Sequence, residues 1–266
     1  MAGETGSADG VGSAARFNHP VGIAVAPGDL LYVTDPGSHT VRRISPDGTV
    51  TTIAGAAGVP GSVDGVGAAA RFNGPVGLAA DDDGYVYVAD SLNATVRKIS
   101  PTGAVTTLAG APGLFGSADG TGSAARFSRF FGVDVDASGT VYVADTNNVT
   151  IRKVTPSGAV STIAGSPGDS TPLDGVGRAA RFDYPYKLAV DDNGTVYVAD
   201  GDSTIRRITT GGAVTTPIGS ANTPGCLDAI GSAARLNAPQ DIDVGADGAL
   251  YIVDTGNSVI RRARPG

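Results

Sequence analysis

The sequence predicts an all-β fold, a five-bladed β-propeller, on three observations. A unit of about 55 residues occurs five times; short runs rich in Val, Thr and Tyr lie between Gly-, Pro- and Asp-containing turns; and those runs alternate weakly between apolar and polar residues. Two residue series carry the repeat. The arginine of Ala-Arg-[Phe/Leu] recurs at Arg16, Arg71, Arg126, Arg181 and Arg235, and the aspartate closing a Tyr-[Val/Ile]-x-Asp run recurs at Asp35, Asp90, Asp145, Asp200 and Asp254. Both series step by 55, 55, 55 and 54 residues, so the copies stay in register. The 266 residues therefore read as one domain with repeats at about 3–55, 56–110, 111–165, 166–219 and 220–266.

Each copy reads as four strands. In the first they fall at 21–25, 31–34, 40–44 and 50–54, separated by the turn signals Pro27-Gly28-Asp29, Pro36-Gly37-Ser38 and Pro46-Asp47-Gly48. This is an antiparallel meander. Weak alternation, as in Leu31-Tyr32-Val33, means that both faces of each sheet are covered, which a radial array of blades achieves and an isolated sheet does not. An open solenoid is the alternative architecture. The fifth copy stops after its third strand, and Met1-Ala2-Gly3 is too short to supply the fourth. The expectation is a five-bladed ring whose last blade lacks its final strand; the alternative is part of a six-bladed ring.

Composition supports strands over helices, with 40 Gly, no Trp and one Met. A formal net charge of −7 argues against nucleic acid and anionic membranes as partners, since both need a surplus of Lys and Arg. The single cysteine, Cys226, forms no disulfide within the chain, and no apolar run approaches the roughly 20 residues of a membrane span. Met1 runs directly into repeat sequence, which reads as the edge of a longer chain and leaves a secretion signal ahead of it open. The compartment is unassigned, with an extracellular domain of a larger bacterial protein as one reading.

The segments Pro-Val-Gly-Ile-Ala-Val (20–25), Leu-Tyr-Val-Thr-Asp (31–35) and Val-Arg-Arg-Ile-Ser-Pro-Asp-Gly (41–48), echoed in the later copies, resemble the NHL-repeat family over essentially the whole chain. The long linker Asp-Gly-x-Gly-x-Ala-Ala-Arg-Phe looks like the form found in bacterial and cell-surface multidomain proteins. The resemblance implies a propeller. For function it implies several classes: platforms for protein or RNA, ligand sensors, and metal-dependent lyases.

Near-identical copies separate scaffold from site. Of the 19 basic residues, all but Arg129, Arg178, Lys187 and Arg264 belong to repeated positions. The repeated aspartates, including Asp9, Asp64, Asp119, Asp174 and Asp228, read as caps of turns rather than calcium ligands. Departures from the repeat concentrate where the first strand starts, in copies three to five. They place Arg129, Phe130, Phe131, Tyr184, Tyr186, Lys187, Gln240 and Asp241 along one arc of the channel mouth. Aromatic faces beside charged and hydrogen-bonding groups suit a peptide, a glycan or another small, including anionic, ligand; the alternative is that the aromatics plug the channel. The neighbouring turns add His39, Leu92, Asn93, Asn147, Asn148, Asp202 and Asn257.

One step deeper, Asp134 and Asp243 replace an alanine. With Asp241 they form a candidate Ca²⁺ set, or act as a titrating pair, or bond amides of a neighbouring blade. A noncatalytic binding module is the leading expectation. A metal-dependent lyase or lactone hydrolase is the second, weakened because His19 and His39 are the only imidazoles and a three-histidine zinc site is out of reach. A purely structural or engineered repeat scaffold is the third. The unpaired edge of the last blade is a candidate for dimer formation.

Overall fold

The structure, a computed structural model, describes residues 3–264; Met1 and Ala2, which the predicted domain and the short N-terminal stretch include, lie outside the described residues, as do Pro265 and Gly266. The chain is an all-β five-bladed propeller of antiparallel sheets. The described residues divide into two compact units, one of residues 3–129 with the turns 137–139 and 155–159, the other of the remaining described residues. No helix among the described residues is long and apolar enough to cross a membrane.

The first unit holds blade 1, with strands Ile23–Ala26, Leu30–Asp35, Thr40–Ile44 and Thr49–Ala54, and blade 2, with Pro75–Ala80, Val86–Asp90, Thr95–Ile99 and Ala104–Gly110. The second holds the strands of blade 3 (Gly132–Val135, Val141–Asp145, Thr150–Val154 and, from its second residue on, Ala159–Gly165), blade 4 (Pro185–Val190, Val196–Asp200, Thr204–Ile208, Ala213–Gly219) and blade 5 (Pro239–Val244, Leu250–Asp254, Val259–Ala263). The fifth sheet has three strands, as the sequence predicts. In blade 1 the first strand starts two residues later than expected. The Val21 and Gly22 amides donate to the Thr34 carbonyl and Oγ1, which takes both out of the regular ladder.

One feature escapes the sequence pattern. In blades 1, 2 and 4 the linker contributes a two-residue strand, Gly10–Val11, Gly65–Val66 or Gly175–Val176, which pairs antiparallel with the fourth strand of its own blade. Two residues are too few to show a period.

Within each unit, sheets pack face to face. In the first, Tyr32, Val41 and Ala54 of blade 1 meet Leu78, Val86, Val88 and Ile99 of blade 2, with Phe72 of the linker sealing the layer. In the second, blade 4 is covered on both sides: Leu188, Val196 and Val198 face blade 3, while Tyr197, Ala199 and Ile205 face Ile242, Leu250 and Ile252 of blade 5. Alternate residues of its second strand therefore point into two different cores, which accounts for the weak alternation.

The paired basic residues of the third strand divide their labour. The first is fully buried in blades 1 to 4, as Arg42, Arg97, Arg152 and Arg206. Arg97 donates to Asp90 Oδ2 (2.9 Å) at the end of the second strand, to Asp64 Oδ1 (2.8 Å) in the linker, and to the carbonyls of Arg71 and Val63. Its guanidinium lies over the Phe72 ring, 5.1 Å from the centroid. Blade 4 repeats this with Arg206, Asp200, Asp174 and Phe182, and blade 1 with Arg42, Asp9 and Phe17, where Asp35 stands further off at 3.6 Å. The second basic residue is less buried and rides on tyrosine: the Lys98 ammonium sits 3.9 Å from the Tyr85 centroid.

The linker aspartates thus do more than cap turns. Asp64 accepts Thr107 N–H and Oγ1–H as well as the Arg97 fork, tying linker, third strand and fourth strand together. The strand-end aspartates likewise reach beyond their own turns, since Asp90 accepts the amide of Asn73, at the entry to the first strand. The arginine of Ala-Arg-Phe bonds carbonyls as expected, Arg71 Nη1 reaching Ala68 O and Ala70 O. Arg97→Met strands the Asp90 carboxylate in a dry interior and is expected to cost about 3–5 kcal/mol. Asp64→Ala removes a half-exposed partner and should cost about 1–2 kcal/mol. Urea unfolding of the two variants checks the order.

Candidate functional site

The first strands of neighbouring blades run close together, and glycine permits it. A Cβ on Gly22 would lie 2.4 Å from the Val76 carbonyl oxygen, and one on Gly132 would lie 2.7 Å from Lys187 Cα. Copies four and five replace this glycine with Lys187 and Asp241. The two side chains meet each other, Nζ to Oδ2 at 2.6 Å, and join the first strands of blades 4 and 5. The pair stays in contact with solvent, with the Lys187 side chain 17% and that of Asp241 40% exposed. Two departures that each look functional in isolation are therefore partners, and opposite charges at one repeat position in adjacent copies were the sequence signal for it.

Three aromatic rings cluster one residue or three residues before that position. Phe131 and Tyr186 stack with centroids 4.9 Å apart and planes 11° from parallel, and Tyr184 tilts against both at 6.4 and 5.8 Å. Phe131 and Tyr186 are partly buried and Tyr184 is exposed, so the cluster is in contact with solvent. Burial and the nearby Tyr184 push the Tyr186 hydroxyl above its ordinary pKa, which keeps it a neutral donor. Gln240 is exposed beside Asp241. Phe130 behaves differently from the expectation: it is fully buried and belongs to the core, because successive residues of an extended segment point to opposite faces. Arg129 is exposed and falls in the first unit.

Asp134 bonds a neighbouring blade. Its Oδ2 accepts the Val190 amide of blade 4 at 2.7 Å and its Oδ1 the Val135 amide at 2.8 Å. Burial raises its pKa to about 7, against the two amides, with Asp243 and Asp136 adding repulsion. Asp243 is exposed and accepts the Val244 amide, and Asp241 is held by Lys187. Asp134, Asp241 and Asp243 do not converge, and no group of three His, Cys, Asp or Glu side chains among the described residues is arranged to hold a metal ion.

Five of the neighbouring turn residues bond within the protein, while Leu92 and Asn147 are exposed. Asn93, Asn148 and Asn257 each donate to the strand-end aspartate three residues earlier, and His39 Nδ1 accepts the Gly74 amide. Asp202 bonds Thr204 Oγ1 beside Asp200, whose pKa is pushed up to about 7 by burial and by the second carboxylate. His19 Nδ1 lies 2.8 Å from Asn18 Oδ1.

An aspartate whose folded pKa is raised favours the protonated fold, so its contribution to stability is present below about pH 4 and lost as pH rises towards 7. Asp134→Asn keeps a carbonyl acceptor for Val190 N–H and removes the buried charge. It should stabilise the protein by roughly 1–3 kcal/mol at pH 8, a gain that shrinks to nothing near pH 4. Urea unfolding across that range is the measurement, and a difference independent of pH would contradict the assignment.

Among known proteins, the NHL repeat profile matches residues 17–44 and 72–99. NHL repeat-containing protein 2 of Bos taurus is 36% identical over 151 residues, 52% of this chain and 21% of that protein. The chain spans only about a seventh to a fifth of the length of the first relatives it matches. Among solved structures, an auxiliary nutrient binding protein of Bacteroides ovatus superposes with a TM-score of 0.70 at 19% identity, covering 93% of this chain and 59% of that one. A virginiamycin B lyase of Staphylococcus aureus does so with 0.58 at 16% identity, covering 92% and 69%.

Proposed function

We propose that this chain, an NHL-repeat β-propeller, is a noncatalytic binding module whose ligand lies against the rings of Phe131, Tyr184 and Tyr186. The observation that carries the reading is the partly exposed aromatic cluster beside the Lys187–Asp241 pair, built wholly from positions where copies three to five depart from the repeat. Rings of this kind give a flat apolar surface, and the ion pair and Gln240 offer donors and acceptors at its rim.

The ion pair also narrows the ligand class. An anionic group would have to displace Asp241 from Lys187, whereas a neutral polyhydroxyl or amide-bearing ligand can use both members as they stand. A glycan or a peptide is therefore the better fit than a small anion. The fold likeness to a nutrient binding protein is in keeping with this reading.

A thermal-shift screen of soluble oligosaccharides and short peptides, followed by calorimetry on the best hit, tests it. Tyr186→Ala is expected to weaken binding about 5- to 10-fold through the lost ring contact. Lys187→Gln is expected to weaken it by a few-fold. Equal affinity of both variants and the parent would remove the ligand from this surface.

A further inference from the structure

The turn between the second and third strands has four residues in copies one, two, three and five but three in copy four, where Gly201, Asp202 and Ser203 join Asp200 to Thr204. The shortening moves a clasp. In blade 2 the Asp90 carboxylate accepts the Asn73 amide while the Leu92 amide donates to the Asn73 carbonyl, and blades 1 and 5 hold Asn18 and Asn237 in the same way. In blade 4 the residue held on both sides lies one position further on: Asp200 Oδ1 accepts the Tyr184 amide at 2.8 Å, and the Gly201 amide donates to the Tyr184 carbonyl at 3.1 Å. His19, Gly74 and Ala238 stand at the position of Tyr184 with φ of 59°, 61° and 47°, a left-handed backbone that Tyr184 does not share. A Cβ on Gly201 would lie 2.7 Å from Tyr184 Cβ, so turn and tyrosine are packed together.

The same turn changes its polar partner. Counted back from the third strand, Asp202 stands where Asn93, Asn148 and Asn257 stand, and in those copies the side-chain amide donates to Oδ2 of the strand-end aspartate. A carboxylate has no hydrogen to donate. Asp202 is 2% exposed; its Oδ1 accepts the Thr204 hydroxyl, and its Oδ2 is buried without a partner. The cation acting on the pair is shared, since Arg206 bonds Asp200 Oδ2 at 3.2 Å through Nη1 and gives Nη2 to Asp174 of the linker, while Asp183 at the entry to the first strand adds repulsion. The linker turn that donates the Asn222 amide to Asp202 O, residues 220–225, has no titratable side chain. Burial pushes both carboxyls up, Asp200 to about 7 with the charge of Asp202 as the next cause.

We infer that Asp202 is a positioning residue for the aromatic cluster: with a proton on Oδ2 it supplies to Asp200 the donor that asparagine supplies in blades 2, 3 and 5, and so holds the turn that clasps Tyr184. Asp200 then remains a carboxylate, as the Asp183, Tyr184 and Gly201 amides and Arg206 require. When the proton leaves to solvent, two negative charges share a dry turn and the clasp loosens. The sign follows from the raised carboxyls: their contribution is complete below the ordinary aspartate pKa of about 4 and is lost as pH rises through about 7. The bearing of this clasp on binding rests on the reading of Phe131, Tyr184 and Tyr186 as the ligand surface, but the clasp itself is testable without a ligand.

The measurement is ¹H–¹⁵N correlation NMR with amide hydrogen exchange on the full chain, from about pH 5.5 to about pH 8.5, for the parent, Asp202→Asn and Asp134→Asn. In the parent the Asp183, Tyr184 and Gly201 amides are expected to follow one titration curve with a midpoint near 7, and the protection of the Tyr184 amide, corrected for its intrinsic exchange rate, to fall roughly tenfold between about pH 6 and 8. Asp202→Asn keeps a donor at every pH, so it should abolish the curve and leave Tyr184 protected throughout, whereas Asp134→Asn should change neither. Amides that do not titrate in the parent, a curve that survives in Asp202→Asn, or one that disappears in Asp134→Asn would overturn the inference. The ¹³Cγ signals of Asp200 and Asp202 in the unaltered chain decide the same point without a variant: a shared midpoint near 7 supports it, and ionisation of both below about pH 5 overturns it. A clasp that titrates in a chain whose screened ligand is indifferent to Tyr186→Ala would leave this inference standing and remove the binding surface alone.

Discussion

The buried arginine of the third strand is the constraint on which each blade depends. A guanidinium taken wholly out of water needs partners for its charge, and here those of Nη1 and Nη2 come from three places in the chain, the end of the second strand, the linker aspartate and linker carbonyls, while Arg97 Nε is buried without one. The linker would otherwise be a Gly- and Ala-rich coil with little apolar surface to hold it. Its phenylalanine packs under the guanidinium and closes the core between sheets, so one cation organises both the polar and the apolar attachment of the linker. Because the linker then pairs with the fourth strand of the same blade, the clamp also determines which strand lies outermost.

The inner edge of the blades obeys a different rule. Where glycine stands at the repeated position, first strands approach backbone to backbone, as the contacts that a Cβ would make at Gly22 and Gly132 demonstrate. Where the glycine is replaced, a side chain bridges the strands instead, by the Lys187–Asp241 ion pair between blades 4 and 5. Asp134 makes a comparable bridge to the Val190 amide. The departures in copies three to five are thus partly repairs of the scaffold, and the aromatic cluster is the part of them that packing leaves unexplained. That division matters for function, because it moves weight from charge to ring faces in the reading of the site.

Blade 5 shows both rules with one strand fewer. Its arginine donates to the strand-end Asp254 through Nε, to the linker Asp228 through Nη1 and to Cys226 Sγ through Nη2.

Much of the fold was legible in the sequence. The 55-residue period, the meander of four strands and the three-stranded last blade all follow from local turn chemistry and from copies that can be aligned by eye. The two-residue linker strands were not, because a pair of residues carries no periodicity and their hydrogen bonds go to a strand some 40 positions away. The site was half legible: comparison of copies pointed to Phe131, Tyr184, Tyr186, Lys187 and Asp241, but it could not tell Phe130, turned into the core, from Phe131, turned out. What the sequence by itself determined is the repeat, and with it the strands, turns and the positions where one copy departs from the rest, since these depend on residues close together in the chain. Only the tertiary structure decided the partners, Lys187 with Asp241, Asp134 with Val190, Arg97 with both its aspartates, because those pairings depend on which strand faces which across a distance that no local pattern encodes.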